Sequence, residues 1–166
     1  TTRDIPDYDE LMTGRLEVLQ ENGLTLSMIQ EVIGTLAPFP GAVEFLNQLR
    51  EKVQVIILSD TFEEFAQPLM RQLGWPTIFC HRLEVSSDHI VHYRLRQADQ
   101  KRCSVKAFQS LQYKVIAVGD SYNDISMLSS ADHGILFHAP DNIRQEFPQF
   151  PVVDTYAARM EQITKY

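Results

Sequence analysis

From Tyr8 to Leu36 the apolar positions Leu11, Met12, Leu16, Val18 and Leu19, then Leu24, Leu26, Ile29, Val32 and Ile33, return at helical spacing. Asn22-Gly23 interrupts them, so a pair of helices is expected. Pro38 and Pro40-Gly41 close that stretch, and Val43, Phe45, Leu46 and Leu49 mark another amphipathic helix over 41–52. Then the period changes. Val53 to Leu58 is a largely β-branched run of the kind that parallel sheets bury on both faces, and 62–73 follows as a helix. Thr77 to Cys80 reads as a short strand, while 83–85 and 90–95 read as two strands joined around Ser86-Ser87-Asp88. A helix over 103–111, a buried strand Val115 to Val118, a helix over 121–130 and a third parallel-type strand Gly134 to Phe137 complete the pattern. This alternation predicts an α/β protein: a Rossmann-like open parallel sheet core over 39–166 with a small helical cap over 1–38.

Composition narrows the function classes. With 166 residues, 44% of them apolar, the chain can bury a sizeable core. The net charge of -7 and the lack of a Lys/Arg cluster interleaved with aromatics exclude a nucleic-acid footprint. An acidic surface also repels anionic substrates, so a phosphate site here needs local donors and a bound cation. The two cysteines, Cys80 and Cys103, form no CxxC and fit reduced thiols. No apolar run is long enough to span a bilayer, so the expectation is a soluble, cytoplasmic protein without membrane partners.

Two buried strands end in polar clusters, and the carboxyl ends of strands are where open α/β sheets bind ligands. One cluster is Ser59-Asp60-Thr61; the other is Gly119-Asp120-Ser121-Tyr122-Asn123-Asp124. Asp120 at a strand end and Asp124 four residues on can hold a hard cation, one directly and one through water or an outer contact. Gly119 permits close backbone approach, and Asn123 offers an amide to an oxygen ligand or substrate. Ser59, with backbone N–H groups opening the next helix, could grip phosphate oxygens. Lys101 could neutralise phosphate charge, with Arg102 an adjacent competitor for that role. Ordinary readings stay open beside these: helix caps for Ser59, Asp120 or Ser121, a dipole-favouring carboxylate for Asp124, a solvated ammonium for Lys101. The histidines 81, 89, 92, 133 and 138 show no helical metal-ligand pairing and read as structural or solvent-facing.

Taken in order, a hydrophobic strand ending in Ser59-Asp60, then Lys101, then Gly119 to Asp124 resemble motifs two, three and four of the haloacid dehalogenase superfamily. Gly119 to Phe137, with Ser126-Met127-Leu128 and Gly134-Ile135, is similar to phosphoserine phosphatases. Ile57 to Phe62, Gln67 to Gly74 and Leu136-Phe137-His138-Ala139-Pro140 are similar to their bacterial ThrH branch. The resemblance implies a Mg2+-dependent phosphoserine phosphatase that acts on the small molecule O-phosphoserine, with water or homoserine as the acceptor. In that scheme Ser59 binds the transferred phosphoryl group, Lys101 stabilises nucleophile and phosphate, Asp120 ligates magnesium and Asp124 supports the metal site. Arg15, on the cap, would bind the phosphoserine carboxylate; a solvated helix face is the other reading of that residue.

The family begins with a strand ending Asp-x-Asp, whose first carboxylate attacks phosphorus and forms an aspartyl-phosphate. No buried strand precedes Asp4, Asp7 or Asp9, so none of them takes that role and the nucleophile is expected upstream of Thr1. The alternative is a catalytically inactive phosphate-binding module of the same fold.

Overall fold

The computed structural model describes residues 8–166. Asp4 and Asp7 therefore lie outside the described residues. The chain forms two compact units, one comprising 1–39 and 59–96 and the other 40–58 and 97–166. The chain passes between the units at three places, after 39, 58 and 96.

In the first unit, helices α1 (Tyr8–Glu21) and α2 (Leu26–Gly34) are the expected pair. Gly23, at φ 62°, makes the break: its left-handed backbone lets the Leu24 N–H reach back to the Leu19 carbonyl at 2.9 Å. Thr25 then caps α2 by accepting the Met28 N–H. Strand β1 (Ile56–Phe62), whose residues from Ser59 on belong to this unit, leads into α4 (Glu63–Gln72), and β2 (Thr77–Ser86) turns into β3 (His89–Arg94). Ser87 and Asp88 both carry positive φ, the signature of a tight hairpin turn whose twist matches its strands. Met12, Phe62, Leu83, Ile90 and Tyr93 form this unit's core, with Leu16, Leu19, Leu26, Ile29 and Phe65 against it. The hairpin tip is tied to α2, since Asp88 Oδ1 accepts from both the Ser27 hydroxyl (2.9 Å) and its N–H (3.1 Å).

The second unit explains why its strands read as continuous apolar runs. Strand β4 (Ile116–Gly119) pairs in parallel with β5 (His133–Phe137), and β5 in parallel with β6 (Val152–Val153). Side chains alternate across this sheet. Ala117 and Leu136 meet Val105, Leu128, Ile143 and Phe150 on one face, from α5 (Gln100–Ser110), α6 (Ile125–Ser130), α7 (Asp141–Glu146) and the loop before β6. Ile135, Val153 and the half-buried Ile116, Val118 and Phe137 meet Phe45, Leu49 and Ile163 on the other, from α3 (Ala42–Arg50) and α8 (Tyr156–Thr164). Helices thus cover both faces of a parallel sheet, the α/β architecture expected. On α8, the Arg159 guanidinium lies 4.7 Å from each of the Phe45 and Phe137 rings, and burial lowers its pKa to about 10.

The structure departs from the expected arrangement in three respects. The first run does not end at Leu58: the strand continues to Phe62 and pairs with β2, in a sheet ordered β1-β2-β3 separate from β4-β5-β6. A strand needs ladder partners for its N–H and C=O groups, and the long β2 supplies them. Thr77 to Cys80 and 83–85 are one ten-residue strand with a bulge between Glu84 and Val85, which accommodates a break in the apolar alternation. Helices α7 and α8 and strand β6 lie beyond Phe137, the end of the predicted pattern.

Two exposed carboxylates give the fold an acid-sensitive edge. Hydrogen bonds from Thr25 and Ser27 hold Asp88 below its usual pKa, as the Val115 N–H and the Gln109 amide do for Asp132. A carboxylate with a depressed folded pKa stabilises above its unfolded value of about 4 and loses that contribution as pH falls through the folded value. The difference in Tm between the wild type and Asp88→Asn or Asp132→Asn should therefore narrow as pH drops below about 4. A difference independent of pH would contradict it.

Candidate active site

The second polar cluster folds around one carboxylate. Strand β4 ends at Gly119, Asp120 follows, and Ser121 in extended conformation caps a single 3-10 turn over Tyr122–Asp124 that runs into α6. The Asp124 Oδ2 atom accepts the N–H of Asp120 (3.1 Å), the N–H of Ser121 (3.2 Å) and the Ser121 hydroxyl (2.9 Å). Its other oxygen accepts from Lys101 Nζ at 2.8 Å. Both residues are buried, Lys101 at 8% and Asp124 at 6% exposure, so this is a desolvated ion pair rather than a surface contact.

The electrostatics separate the two aspartates. Burial opposes the charge of Asp124, yet the Lys101 ammonium, the Asp120 N–H and the Ser121 hydroxyl outweigh it and hold that carboxyl below its ordinary pKa. Asp120 is raised instead, first by burial and then by the neighbouring Asp124 charge. Asp124 thus spends its oxygens on the loop and the lysine, while Asp120 sits at the strand end. Gly119 is required by this packing: a Cβ there would lie 2.5 Å from Asp124 Cβ and 2.7 Å from its Cγ.

The two basic candidates have different partners. Lys101 faces Asp124, whereas Arg102 is exposed on Asp99, its Nε 2.5 Å from Oδ2. Asp99 in turn accepts from the Ser126 hydroxyl. Asn123 meets the Ser121 hydroxyl through its side-chain oxygen. Tyr122 donates to Glu146 (2.6 Å) and accepts from Asn142 (3.2 Å), tying the turn to α7. The sequence carries no local sign of that tether, because Asn142 and Glu146 lie about 20 residues on, in a helix outside the predicted pattern.

In the first unit, Ser59 stands within β1, and its hydroxyl accepts the Thr61 N–H at 3.3 Å. Arg15 is exposed on α1, with Nη1 3.8 Å from Met12 Sδ. Among the described residues no group of three or more His, Cys, Asp or Glu side chains is placed to hold a metal ion. No helix among them is long and apolar enough to cross a membrane.

At the end of β4 a glycine is thus pressed against a buried aspartate that a buried lysine pairs with. The model of haloacid dehalogenase-like hydrolases matches residues 4–132. The chain belongs to that family. Within it, the chain is 67% identical over 157 residues to phosphoserine phosphatase ThrH of Pseudomonas aeruginosa, across 94% of this chain and 77% of that protein. It is 62% identical to a phosphoserine phosphatase of Pseudomonas syringae pv. tomato, across 99% and 70% respectively. The fold of this haloacid dehalogenase-like chain is shared with an apo phosphoserine phosphatase crystal structure, with a TM-score of 0.76 at 21% identity over 99% of this chain and 84% of that one.

Proposed function

We propose that the protein is a Mg2+-dependent phosphoserine phosphatase that transfers the phosphoryl group of O-phosphoserine to water or to homoserine. The observation that carries this is the Gly119–Asp124–Lys101 packing, together with 67% identity to a protein named phosphoserine phosphatase ThrH. The donor set fits a hard cation: Asp120 supplies one carboxylate, and magnesium accepts one or two carboxylates with waters and phosphate oxygens completing its shell. Bound there, magnesium would neutralise charge on the phosphoryl oxygens.

The chain's own residues do the rest. Lys101 holds positive charge where the phosphoryl group is handled, and Asp124 fixes that ammonium and the turn that carries Asp120. The Ser59 hydroxyl hydrogen-bonds the phosphoryl oxygens, Asn123 contacts the substrate, and Arg15 pairs with its carboxylate. The attacking carboxylate that the family uses to form an aspartyl-phosphate is assigned to no described residue.

Turnover of O-phosphoserine by the protein carrying the attacking carboxylate expected upstream of Thr1, followed by 31P NMR with and without homoserine, tests the reading. Inorganic phosphate as the product means water is the acceptor, O-phosphohomoserine means homoserine is, and neither product refutes the proposal. Arg15→Ala should raise KM for O-phosphoserine about tenfold and leave phosphomonoesters lacking a carboxylate unaffected, since it removes one charge-assisted contact of roughly 1.5–3 kcal/mol.

A further inference from the structure

Of the five histidines, only His81 is buried, at 5% exposure, and the proposed chemistry does not use it. It lies on β2, whose neighbour in the sheet is β1, the strand carrying Ser59-Asp60-Thr61. The Arg96 backbone N–H donates to His81 Nδ1 at 3.1 Å. A ring nitrogen that accepts a hydrogen bond carries no proton, so this contact selects the neutral tautomer with the proton on Nε2. Arg96 is itself anchored, its Nε donating to the Cys80 carbonyl at 2.9 Å. The Phe62 ring lies beside the imidazole, with centroids 6.1 Å apart. The ring is thereby held with Nε2 3.9 Å from Asp60 Oδ1, an electrostatic contact longer than a hydrogen bond.

Asp60 sits in β1 between Ser59 and Thr61, where the Ser59 hydroxyl accepts the Thr61 N–H at 3.3 Å. An acceptor interaction of that kind orients the hydroxyl. Fixing the Asp60 carboxylate fixes the backbone on both sides of it. We infer that His81 and Asp60 are a positioning pair for phosphate recognition: the tautomer imposed by Arg96 presents a donor to Asp60, and Asp60 holds Ser59 in register to bind a phosphoryl group.

This rests on the role proposed for Ser59, and the experiment separates the two. His81→Asn keeps an acceptor near the Nδ1 position and deletes the Nε2 donor. Asp60→Asn removes the charge from a partly exposed side chain, so it folds even if the first variant does not. Outer contacts of this type are worth about 10–100-fold. Each variant should therefore weaken inorganic phosphate binding about tenfold, measured by calorimetry, and raise KM for O-phosphoserine by a similar factor with kcat held. A merely structural role would lower Tm and leave phosphate affinity intact, which overturns the inference. So would a 15N NMR spectrum placing the His81 proton on Nδ1. If O-phosphoserine is not turned over by the wild type, the substrate reading fails and the phosphate titration still decides: weakened binding in both variants supports the pair. Unchanged binding, or none in the wild type, overturns it.

Discussion

Lys101→Met should cost about 3–5 kcal/mol of stability, the cost of leaving a buried charge without its partner. The deletion strips the ammonium from Asp124 and leaves a carboxylate at 6% exposure whose remaining donors are the Asp120 and Ser121 groups. For a chain of this size that is a fall in Tm of roughly 10 °C. Turnover should fall by about 10²–10³-fold as well, since a preorganised cation facing the transferred group is lost. The double variant Lys101→Met with Asp124→Leu separates the two effects. Removing both charges should restore much of the stability, because replacing a whole buried pair by apolar side chains is often neutral, while activity stays lost. Arg102→Met is the control: its pair with Asp99 is exposed and worth at most about 1 kcal/mol. An equal loss of activity from Arg102→Met would mean that the wrong cation has been placed at the site.

Gly119→Ala is expected to damage both stability and activity. The new Cβ would stand 2.5 Å from Asp124 Cβ and 2.8 Å from its Oδ2. Asp124 cannot swing aside without giving up Lys101 on one oxygen and two backbone N–H groups on the other. The strand end must therefore move, at about 1–3 kcal/mol for overpacking, and a displacement near 1 Å of the Asp120 turn costs roughly 10²-fold in rate. Gly14→Ala, on α1 with nothing within 4 Å of the added atom, should instead leave stability unchanged or raise it by up to about 1 kcal/mol. Enzyme assays and thermal unfolding of the two variants side by side check both statements.

Much of this is legible in the chain itself, for identifiable reasons. The apolar runs at 115–118 and 134–137 read as parallel strands because both of their faces are buried, and the helices α5 and α6 follow the apolar period around them. The Gly-Asp-Ser-Tyr-Asn-Asp run is readable because its residue types act locally, with close approach at Gly119, capping at Ser121 and a buried anion at Asp124. The features that escape a reading of the sequence depend on contacts distant along the chain. Nothing near Lys101 distinguishes it from Arg102; only the turn 23 residues later, carrying Asp124, does. His81 looks ordinary because its constraint comes from the Arg96 backbone, which no side-chain pattern reports. The extension of β1 through Ser59-Asp60-Thr61 is hidden because polar residues at a strand end carry the signature of a loop, and pairing with β2 overrides that preference. The C-terminal helix α8 does carry a local signal: Thr155 is its N-cap, accepting the Ala158 N–H at 3.1 Å.

The most direct measurement is the initial rate of phosphate release from O-phosphoserine, with and without magnesium, by the protein carrying the attacking carboxylate expected upstream of Thr1 and by its Asp120→Asn variant. Magnesium-dependent release by the wild type that falls to background in Asp120→Asn, with the variant still folded by circular dichroism, is the predicted result. Release that is indifferent to magnesium, or unchanged in Asp120→Asn, would contradict the placement of the site at the end of β4.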